Sequence, residues 1–313
     1  MKKILACAAF ITVAAVFAVE PFETGFKSGN VADCLEAKGL DKAKVLFKDV
    51  DGNNVLSISN GATASFIETP VEPMTKYTLE CDASFSGSEA IEENPRLEFF
   101  SRPGARPPNQ PVKEIMFFDA EGKQAGVMAS GLVFRKRTYT DVFYTPAKAV
   151  SMKLRFKSPK DVELLVCQPK LFKTLDEGAI NVNPEFKLGL CNYSGWGSPA
   201  AGGEIVEENG KTVFDTKYGT SSQPFPLKEG GTYALSAKLS SNGYNTCVIL
   251  HVLNEEGKNI KEISIRGNQT SCFVMPKDAV SGRFLVYSSI LEEVRLNRVG
   301  DDSKIDELLK AKK

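Results

Sequence analysis

The chain has 313 residues, of which 42% are hydrophobic and 25% charged, and its 39 Lys and Arg residues balance its 39 Asp and Glu residues. This composition is typical of folded globular proteins, and the length suffices for two domains of ordinary size. The balanced charge argues against a nucleic-acid partner, because such a partner selects a basic surface. The sequence therefore predicts a globular protein without a polyanionic ligand.

Residues 1–18 have the order of a secretory signal peptide. Lys2 lies before an apolar run over residues 4–17, and the side chains of Val16 and Ala18 are small enough for cleavage after Ala18. The apolar run is too short to span a bilayer comfortably, so a membrane anchor is the weaker alternative. We expect a mature chain that is exported to the periplasm, the cell surface or the medium and does not insert into a membrane.

The chain has seven cysteines, and six remain once Cys7 leaves with the signal peptide. Six cysteines can pair in many ways, so the sequence leaves the disulfide pattern open. Cys81 shares the inward phase of its strand with Tyr77 and Leu79, which makes a buried free thiol as good a prediction as a disulfide. No two cysteines have the C-x-x-C spacing of zinc or thioredoxin-type sites.

An internal repeat is the main organising pattern of the sequence. A stretch with Pro, Tyr and Leu at matching steps occurs at residues 70–83 and again at residues 226–237, so that Tyr77 matches Tyr233. The other matched segments, in chain order, are residues 52–56 with 210–214, 119–123 with 254–258, 146–151 with 276–281, and 170–171 with 295–296. Matches that keep their order predict a duplicated domain.

The repeat predicts the domain boundaries. We expect a first domain over residues 19–174, with an inserted proline-rich loop around residues 87–111, and a second domain over residues 182–300. A short polar linker joins the two domains. Residues 301–313 form a charged tail, either a short helix or a frayed terminus.

The strand pattern predicts the fold class. Short runs of alternating apolar and polar residues, separated by turn residues, fill both domains, and helical periodicity is almost absent. About eight strands in each domain fit a jelly roll, in which two antiparallel sheets each bury one face. The prediction is an all-β protein made of two tandem antiparallel β-sandwich domains of the jelly-roll type.

The order of these signals resembles carbohydrate-binding modules of families 4 and 9, within the galactose-binding-like jelly rolls. In the second domain the resemblance rests on residues 183–186, on Gly195-Trp196, on residues 231–236 and on the closing strand at residues 292–296. The first domain keeps the Tyr77 strand but has no tryptophan and no acids in its closing strand. The resemblance covers almost the whole mature chain, and its motifs mostly specify the sandwich.

The resemblance implies a secreted, non-catalytic protein that binds a polysaccharide or another glycan. Sugar rings need aromatic faces flanked by polar groups that bind hydroxyls. The second domain offers candidates for both roles, namely Tyr193, Trp196 and Tyr244 as aromatic faces with Asn192 and Asn245 beside them. Trp196 has a second interpretation as a packing residue, because the family often has a packing tryptophan at this point.

Residues 135–144 of the first domain are the next candidate, because they combine cations with aromatic side chains. The alternative is a solvated edge strand whose charges prevent pairing with other chains.

A structural calcium ion is also implied by the resemblance, held by acids of the first and last strands of a module. In this chain the ligands would be Glu185 with Glu292 or Glu293, since Ca²⁺ prefers carboxylate oxygens. The family pattern has Asp where this chain has Glu, and the order of Phe and Glu is reversed at residues 185–186. Solvated carboxylates at a strand edge are therefore the alternative interpretation.

Catalytic motifs are absent from the sequence. The one histidine, His251, lies in the middle of a strand among apolar residues, whereas catalytic groups favour loops. No G-x-S-x-G, H-E-x-x-H, P-loop or Glu-x-Asp-x-x-Glu pattern occurs. Two further function classes stay open, namely a structural or adhesive cell-surface protein with protein partners and, without a motif to support it, a glycan-cleaving enzyme.

Overall fold

The structure is a computed structural model that describes residues 18–19, 22–86, 110–132, 135–174, 178–189, 192–197, 204–208, 210–216, 219–239, 247–287 and 290–299. Most of the predicted signal peptide, the inserted loop up to residue 109 and the charged tail lie outside the described residues. Among the residues described, no helix is long and apolar enough to cross a membrane.

The described elements are almost all strands. The elements of the first half are β1 (Ala18–Val19), α1 (Glu23–Ser28), a 3₁₀ turn (Val31–Asp33), β2 (Val45–Val50), β3 (Asn53–Ser59), β4 (Thr63–Ser65), β5 (Thr69–Pro70), β6 (Lys76–Ser86), β7 (Val112–Phe118), β8 (Gln124–Gly131), β9 (Lys136–Tyr144), β10 (Ser151–Lys157), β11 (Glu163–Val166) and β12 (Lys170–Lys173). Those of the second half are β13 (Glu204–Glu208), β14 (Lys211–Asp215), β15 (Thr220–Ser221), β16 (Phe225–Pro226), β17 (Thr232–Leu239), β18 (Cys247–Leu253), β19 (Asn259–Arg266), β20 (Thr270–Val274), β21 (Ser281–Tyr287) and β22 (Ile290–Val299).

The two halves repeat the same strand pairings, and all the pairs are antiparallel. In the first half β2, β3, β11 and β6 form one sheet, to which β9, β12 and β1 are added, and the second half has the order β13-β14-β22-β17-β20. The opposing sheets are β4-β10-β7-β8 with β5 on β10, and β15-β21-β18-β19 with β16 on β21. The predicted fold class, two tandem antiparallel β-sandwiches of the jelly-roll type, is confirmed.

The short strand β1 lies beside β12, where Ala18 pairs with Phe172 and Val19 with Leu171. The cleavage point expected after Ala18 therefore falls inside this strand.

The matched turns of the repeat have the same hydrogen bonds. In each turn the side-chain oxygen of the first residue, Asp119 or Asn254, accepts hydrogen bonds from the backbone N–H groups two and four residues later. Gly122 and Gly257 follow with φ angles of 75° and 74°, a region that glycine enters without a Cβ clash. Local chemistry thus fixes the hairpins β7–β8 and β18–β19.

The matched tyrosines tie neighbouring strands together. The hydroxyl of Tyr77 accepts a hydrogen bond from the backbone N–H of Glu72 at 3.1 Å, and that of Tyr233 accepts one from Lys228 at 2.8 Å. Both rings are buried between the sheets. The repeated Pro-to-Tyr pattern therefore encodes a crossing from one sheet, through β5 or β16, to the other sheet at β6 or β17.

Each half has its own hydrophobic core. Phe22, Phe66 and Phe156 lie in the first core, and Phe186 and Phe284 lie in the second. The five cysteines in the described part of the chain are free thiols, which include the buried Cys34 and Cys81, and Cys191 lies outside that part.

The two halves meet at the outer edge of β9, and we call this contact the joint. The hydrogen bonds that cross it include those from Tyr144 Oη to the Ile180 carbonyl at 2.8 Å, from Asn192 Nδ2 to the Thr140 carbonyl at 2.7 Å, and from the Val142 N–H to Ser194 Oγ at 3.0 Å. The Tyr144 ring also packs into the core of the second half. The joint thus covers an edge strand that would otherwise be open to other chains.

Candidate functional site

The Trp196 ring lies in the core of the second half. It is 2% exposed, and its centroid lies 5.5 Å from that of Phe186, 5.9 Å from Phe214 and 6.0 Å from Phe284. Of the two interpretations of this tryptophan, packing is the one that the structure shows. A ring enclosed by three phenylalanines offers no free face to a sugar.

The residues around Trp196 belong to the joint and the core. Asn192 donates its two side-chain hydrogen bonds to the carbonyls of Thr140 and Leu188, at 2.7 and 3.2 Å. The Tyr193 ring is partly buried, with its centroid 5.9 Å from that of Phe214. The structure brings the predicted sugar-binding residues of this loop together, but their polar and aromatic groups are used within the protein.

Tyr244 and Asn245, the other two residues of the predicted sugar site, lie outside the described residues.

Residues 135–144 do not form an open aromatic patch. Most of this segment is β9, in which alternate side chains face the interior of the first sandwich. Tyr139 and Phe143 are among these inward residues, and the Tyr139 ring centroid lies 5.4 Å from Lys113 Nζ. Phe143 is fully buried, and Tyr144 belongs to the joint. The alternative interpretation of an edge strand is correct, but this edge is covered instead of solvated.

The glutamates predicted to bind calcium are ion-pair partners in the structure. Arg295 lies between Glu185 and Glu293 and pairs with both, at 2.6 Å from its Nε to Glu293 Oε1. Glu292 instead pairs with Lys211 at 2.9 Å. Within the described part of the chain, no group of three or more His, Cys, Asp or Glu side chains is placed to hold a metal ion.

The ion pairs explain why the pKa values of Glu185 and Glu293 are lowered. A hydrogen bond from Lys187 is the main cause that lowers the pKa of Glu185. Burial by itself raises the pKa of Glu293, but hydrogen bonds from Lys238 and Arg295 outweigh it, so the pKa lies below its ordinary range. The Arg295 guanidinium thus supplies positive charge beside both Glu185 and Glu293.

The outer face of the β15-β21-β18-β19 sheet is the one that carries an exposed aromatic ring. Tyr287 is 46% exposed, and no other aromatic side chain in the described part of the chain is classed as exposed. Alternate residues of β18 point inward, as the fully buried Val248 and Leu250 show. The cross-strand rows of the outer face are Tyr287–Cys247–Arg266, Leu285–Ile249–Ser264 and Arg283–His251–Glu262, and we call these nine residues the platform.

The platform combines an apolar centre with a polar rim. Ile249 and Leu285 are partly buried beside the Tyr287 ring, and the side chains of Arg266 and Arg283 are exposed. A surface of this kind can hold the apolar side of a ring and can donate hydrogen bonds to oxygens at its rim.

His251 forms part of the rim. Its Nε2 lies 3.1 Å from Glu262 Oε1, across the β18–β19 pair. Its Nδ1 is buried and has no hydrogen-bond partner in the described part of the chain. The expectation that His251 lies in the middle of a strand is correct.

The equivalent face of the first half is closed by ion pairs. At the positions of Tyr287 and Leu285 it has Lys157 and Arg155, and both pair with Glu114. Burial acts to raise the pKa of Glu114, but hydrogen bonds from the two cations outweigh it and hold the pKa below its ordinary value. Both halves of the repeat thus have this sheet, but among the described residues only the sheet of the second half has an open platform.

Sequence reasoning missed the platform because its residues come from three strands. The alternation in Arg283, Leu285 and Tyr287 is visible in the sequence, and it places the three side chains on one face. Which residues of β18 and β19 lie beside them depends on the strand register, which the sequence does not give.

Among solved structures, the chain is similar to several jelly-roll domains. The N-terminal tandem domain CBM22-1–CBM22-2 of Paenibacillus barcinonensis Xyn10C is 12% identical and matches over 82% of this chain and 91% of its own, with a TM-score of 0.30. A CBM4 structure is 15% identical over 44% of this chain and 92% of its own, with a TM-score of 0.28. A triple-jelly-roll protein of an archaeal virus is 13% identical over 82% of this chain and 58% of its own, with a TM-score of 0.32.

No protein-family model matches the sequence, and no curated protein is similar to it. Carbohydrate-binding modules are among the similar structures, with families 4 and 22 represented, and family 9 is not among those named here. The identities and TM-scores are low, and viral jelly rolls match as well, so these likenesses decide neither the family nor the function of the chain.

Proposed function

We propose that the protein is a non-catalytic carbohydrate-binding protein that acts outside the cytoplasm and binds a polysaccharide on the platform of its second half. The observation that supports this proposal is the exposed Tyr287 ring at the end of β21, on a sheet face that also carries Ile249, Arg283 and the His251–Glu262 pair. Its counterpart in the first half holds ion-paired lysine and arginine, so the two faces are suited to different tasks.

The chemistry of the platform fits a sugar ring. The apolar C–H side of a pyranose can lie on Tyr287 and Ile249, while the rim residues exchange hydrogen bonds with its hydroxyls. Arg283 donates, and Glu262 accepts, because a guanidinium has no acceptor and a carboxylate has no donor. One aromatic contact contributes about 1 kcal/mol, so we expect Kd values between about 1 µM and 1 mM.

The experiment is affinity electrophoresis of the mature chain through gels that contain single polysaccharides, followed by calorimetry with oligosaccharides of the retarding polymer. Tyr287→Ala should abolish retardation and leave the melting curve nearly unchanged, because the ring lies outside the core. The matched control is Val127→Ala, which trims a 53% exposed side chain on the equivalent sheet of the first half and should bind as the parent does.

Two results would contradict the proposal. One is a chain that binds no polysaccharide in a broad panel. The other is binding that Tyr287→Ala and Arg283→Ala leave intact, which would place the site elsewhere in the molecule.

A further inference from the structure

The platform of the second half carries an arginine at each of its two ends. Arg266 lies in the same cross-strand row as Tyr287, and Arg283 lies in the row of His251, four residues before Tyr287 on β21. Four residues of a strand span about 14 Å. Both arginines are exposed, so a ligand that extends over the platform meets a guanidinium near each end.

The charges of these two arginines are not answered by acids of the protein. Among the described residues neither guanidinium has an ion-pair partner, and the one acid of the platform, Glu262, lies beside His251 instead, at 3.1 Å from its Nε2. The segments that adjoin the Tyr287 end, residues 240–246 and 288–289, lie outside the described residues, and their sequence contains no Asp or Glu.

The first half shows how the fold neutralises cations on this sheet. Three cations of β10 point outward, namely Lys153, Arg155 and Lys157. Lys153, which matches Arg283 in the repeat, pairs with Glu36 at 2.6 Å, and the other two pair with Glu114. The cations of the first half therefore stabilise their own sheet, whereas those of the platform are left for a ligand.

We propose that the polysaccharide bound on the platform is acidic, and that Arg266 and Arg283 hold carboxylate or sulfate groups of sugars next to the ring that stacks on Tyr287. This inference rests on the proposed function and names the class of glycan. A guanidinium fits two oxygens of such a group with parallel N–H donors. A neutral hydroxyl also accepts from a guanidinium, but an anionic oxygen forms the stronger, charge-assisted hydrogen bond.

The total charge of the chain predicted no polyanionic ligand, and the platform departs from that expectation. Lys and Arg balance Asp and Glu over the whole sequence, but a total does not show how charge is distributed over the surface. The platform has two arginines and one glutamate, and that glutamate already has a partner.

Calorimetry of the mature chain with matched pairs of polymers tests the proposal. Polygalacturonate and its fully methyl-esterified form have the same backbone and differ in charge, and dextran sulfate with dextran is the second pair. We expect the charged member of at least one pair to bind about tenfold more tightly than its neutral member, with an affinity that falls as NaCl is added. A preference within the first pair assigns a carboxylate, and one within the second pair assigns a sulfate.

Charge-removing variants locate the effect. Arg283→Gln and Arg266→Gln should each weaken binding of the charged polymer about threefold to fivefold and reduce its preference over the neutral one, because an exposed ion pair is lost. The matched control Lys170→Gln removes the same charge from an exposed position of β12 in the first half and should bind as the parent does.

The outcomes separate this inference from the proposed function. If charged and neutral polymers bind equally and Tyr287→Ala abolishes both, the platform is a sugar site but the inference of an acidic glycan is wrong. If Lys170→Gln weakens binding as much as Arg283→Gln does, the attraction is to the charge of the whole chain, and the inference is wrong as well. If no polysaccharide binds, the proposed function and the inference are both wrong.

Discussion

A buried pair of charged residues lies in the interior of the first sandwich. Lys113 is 2% exposed and forms an ion pair with Asp141 between the sheets of the first half. Burial acts to lower the pKa of Lys113, but the attraction of the Asp141 carboxylate outweighs it and holds the pKa above its ordinary value. By strand register the second half has Val248 and Ser271 at these positions, so the fold does not require the charges.

We predict that Lys113→Met lowers the free energy of unfolding by about 3–5 kcal/mol, because the Asp141 carboxylate loses its partner in a partly buried site. The double variant Lys113→Val with Asp141→Ser copies the second half and should recover most of this loss, since both charges are gone. Urea denaturation followed by far-UV circular dichroism measures both variants. A double variant as unstable as Lys113→Met would show that the loss is due to packing and not to charge.

The buried cysteines make the free energy of unfolding depend on pH in the alkaline range. Burial raises the pKa of Cys34 and of Cys81 from 9.0 to about 12. The folded state thus holds these protons more tightly than the unfolded state does, and the resulting stability is complete below about pH 9 and is lost as the pH rises towards 12.

We therefore expect the free energy of unfolding to fall between about pH 9 and pH 12 and the native thiols to react slowly with a disulfide reagent at pH 8. The double variant Cys34→Ala with Cys81→Ala should be less stable at pH 8 but should have a shallower slope above pH 9. An unchanged slope would assign the alkaline transition to tyrosine or lysine titration.

The tyrosine at the start of β6 in the first half, and at the start of β17 in the second, makes the same hydrogen bond in both halves. Tyr233→Phe removes the hydroxyl that accepts the Lys228 N–H at 2.8 Å and leaves that donor without a partner. We expect a loss of about 1–3 kcal/mol in the stability of the second half. The chain has one tryptophan, Trp196, in the core of that half, so its fluorescence follows this transition.

The matched variant is Tyr77→Phe, which removes the same contact to Glu72 in the first half. It should lower the first-half transition seen by circular dichroism and shift the Trp196 transition much less. Equal shifts of Trp196 fluorescence in the two variants would mean that the halves unfold as one unit.

The elements that could be predicted from sequence are those whose chemistry is local. The Gly122 and Gly257 turns and the Tyr77 and Tyr233 strands were predicted because each needs particular residues within a few positions. The role of Asn192 was not predicted, because its partner, the Thr140 carbonyl, lies in the other half of the repeat.

The surroundings of the candidate site residues could not be predicted for the same reason. Trp196 could be a sugar platform or a core residue, and only the three phenylalanines around it decide between them. Glu185 and Glu293 meet as predicted, but the sequence does not show that the Arg295 guanidinium lies between them. Strand register, which places Tyr287 beside Ile249, is likewise a property of the assembled sheet.

At the scale of the whole molecule, the joint is where the two sandwiches depend on each other. Each half has its own two sheets and its own core, which is what an independently folding domain needs. The Tyr144 ring belongs by sequence to the first half and by packing to the core of the second, where Val142 packs beside it. Separating the halves therefore removes part of the second core.

We predict that cleavage in the linker, between residues 174 and 178, followed by separation of the pieces leaves both folded but makes the second piece less stable than it is in the intact chain. Tyr144→Ala in the intact chain should reproduce most of this loss, about 3 kcal/mol, because it removes the same ring from the same core. Thr138→Ala, on the same strand but outside the joint, is the control and should leave the Trp196 transition unchanged. Thermal melts followed by Trp196 fluorescence measure all of these forms. If neither piece folds alone, the two-sandwich description of stability is wrong, and if the second piece melts as the intact chain does, the joint fixes the orientation of the halves without stabilising them.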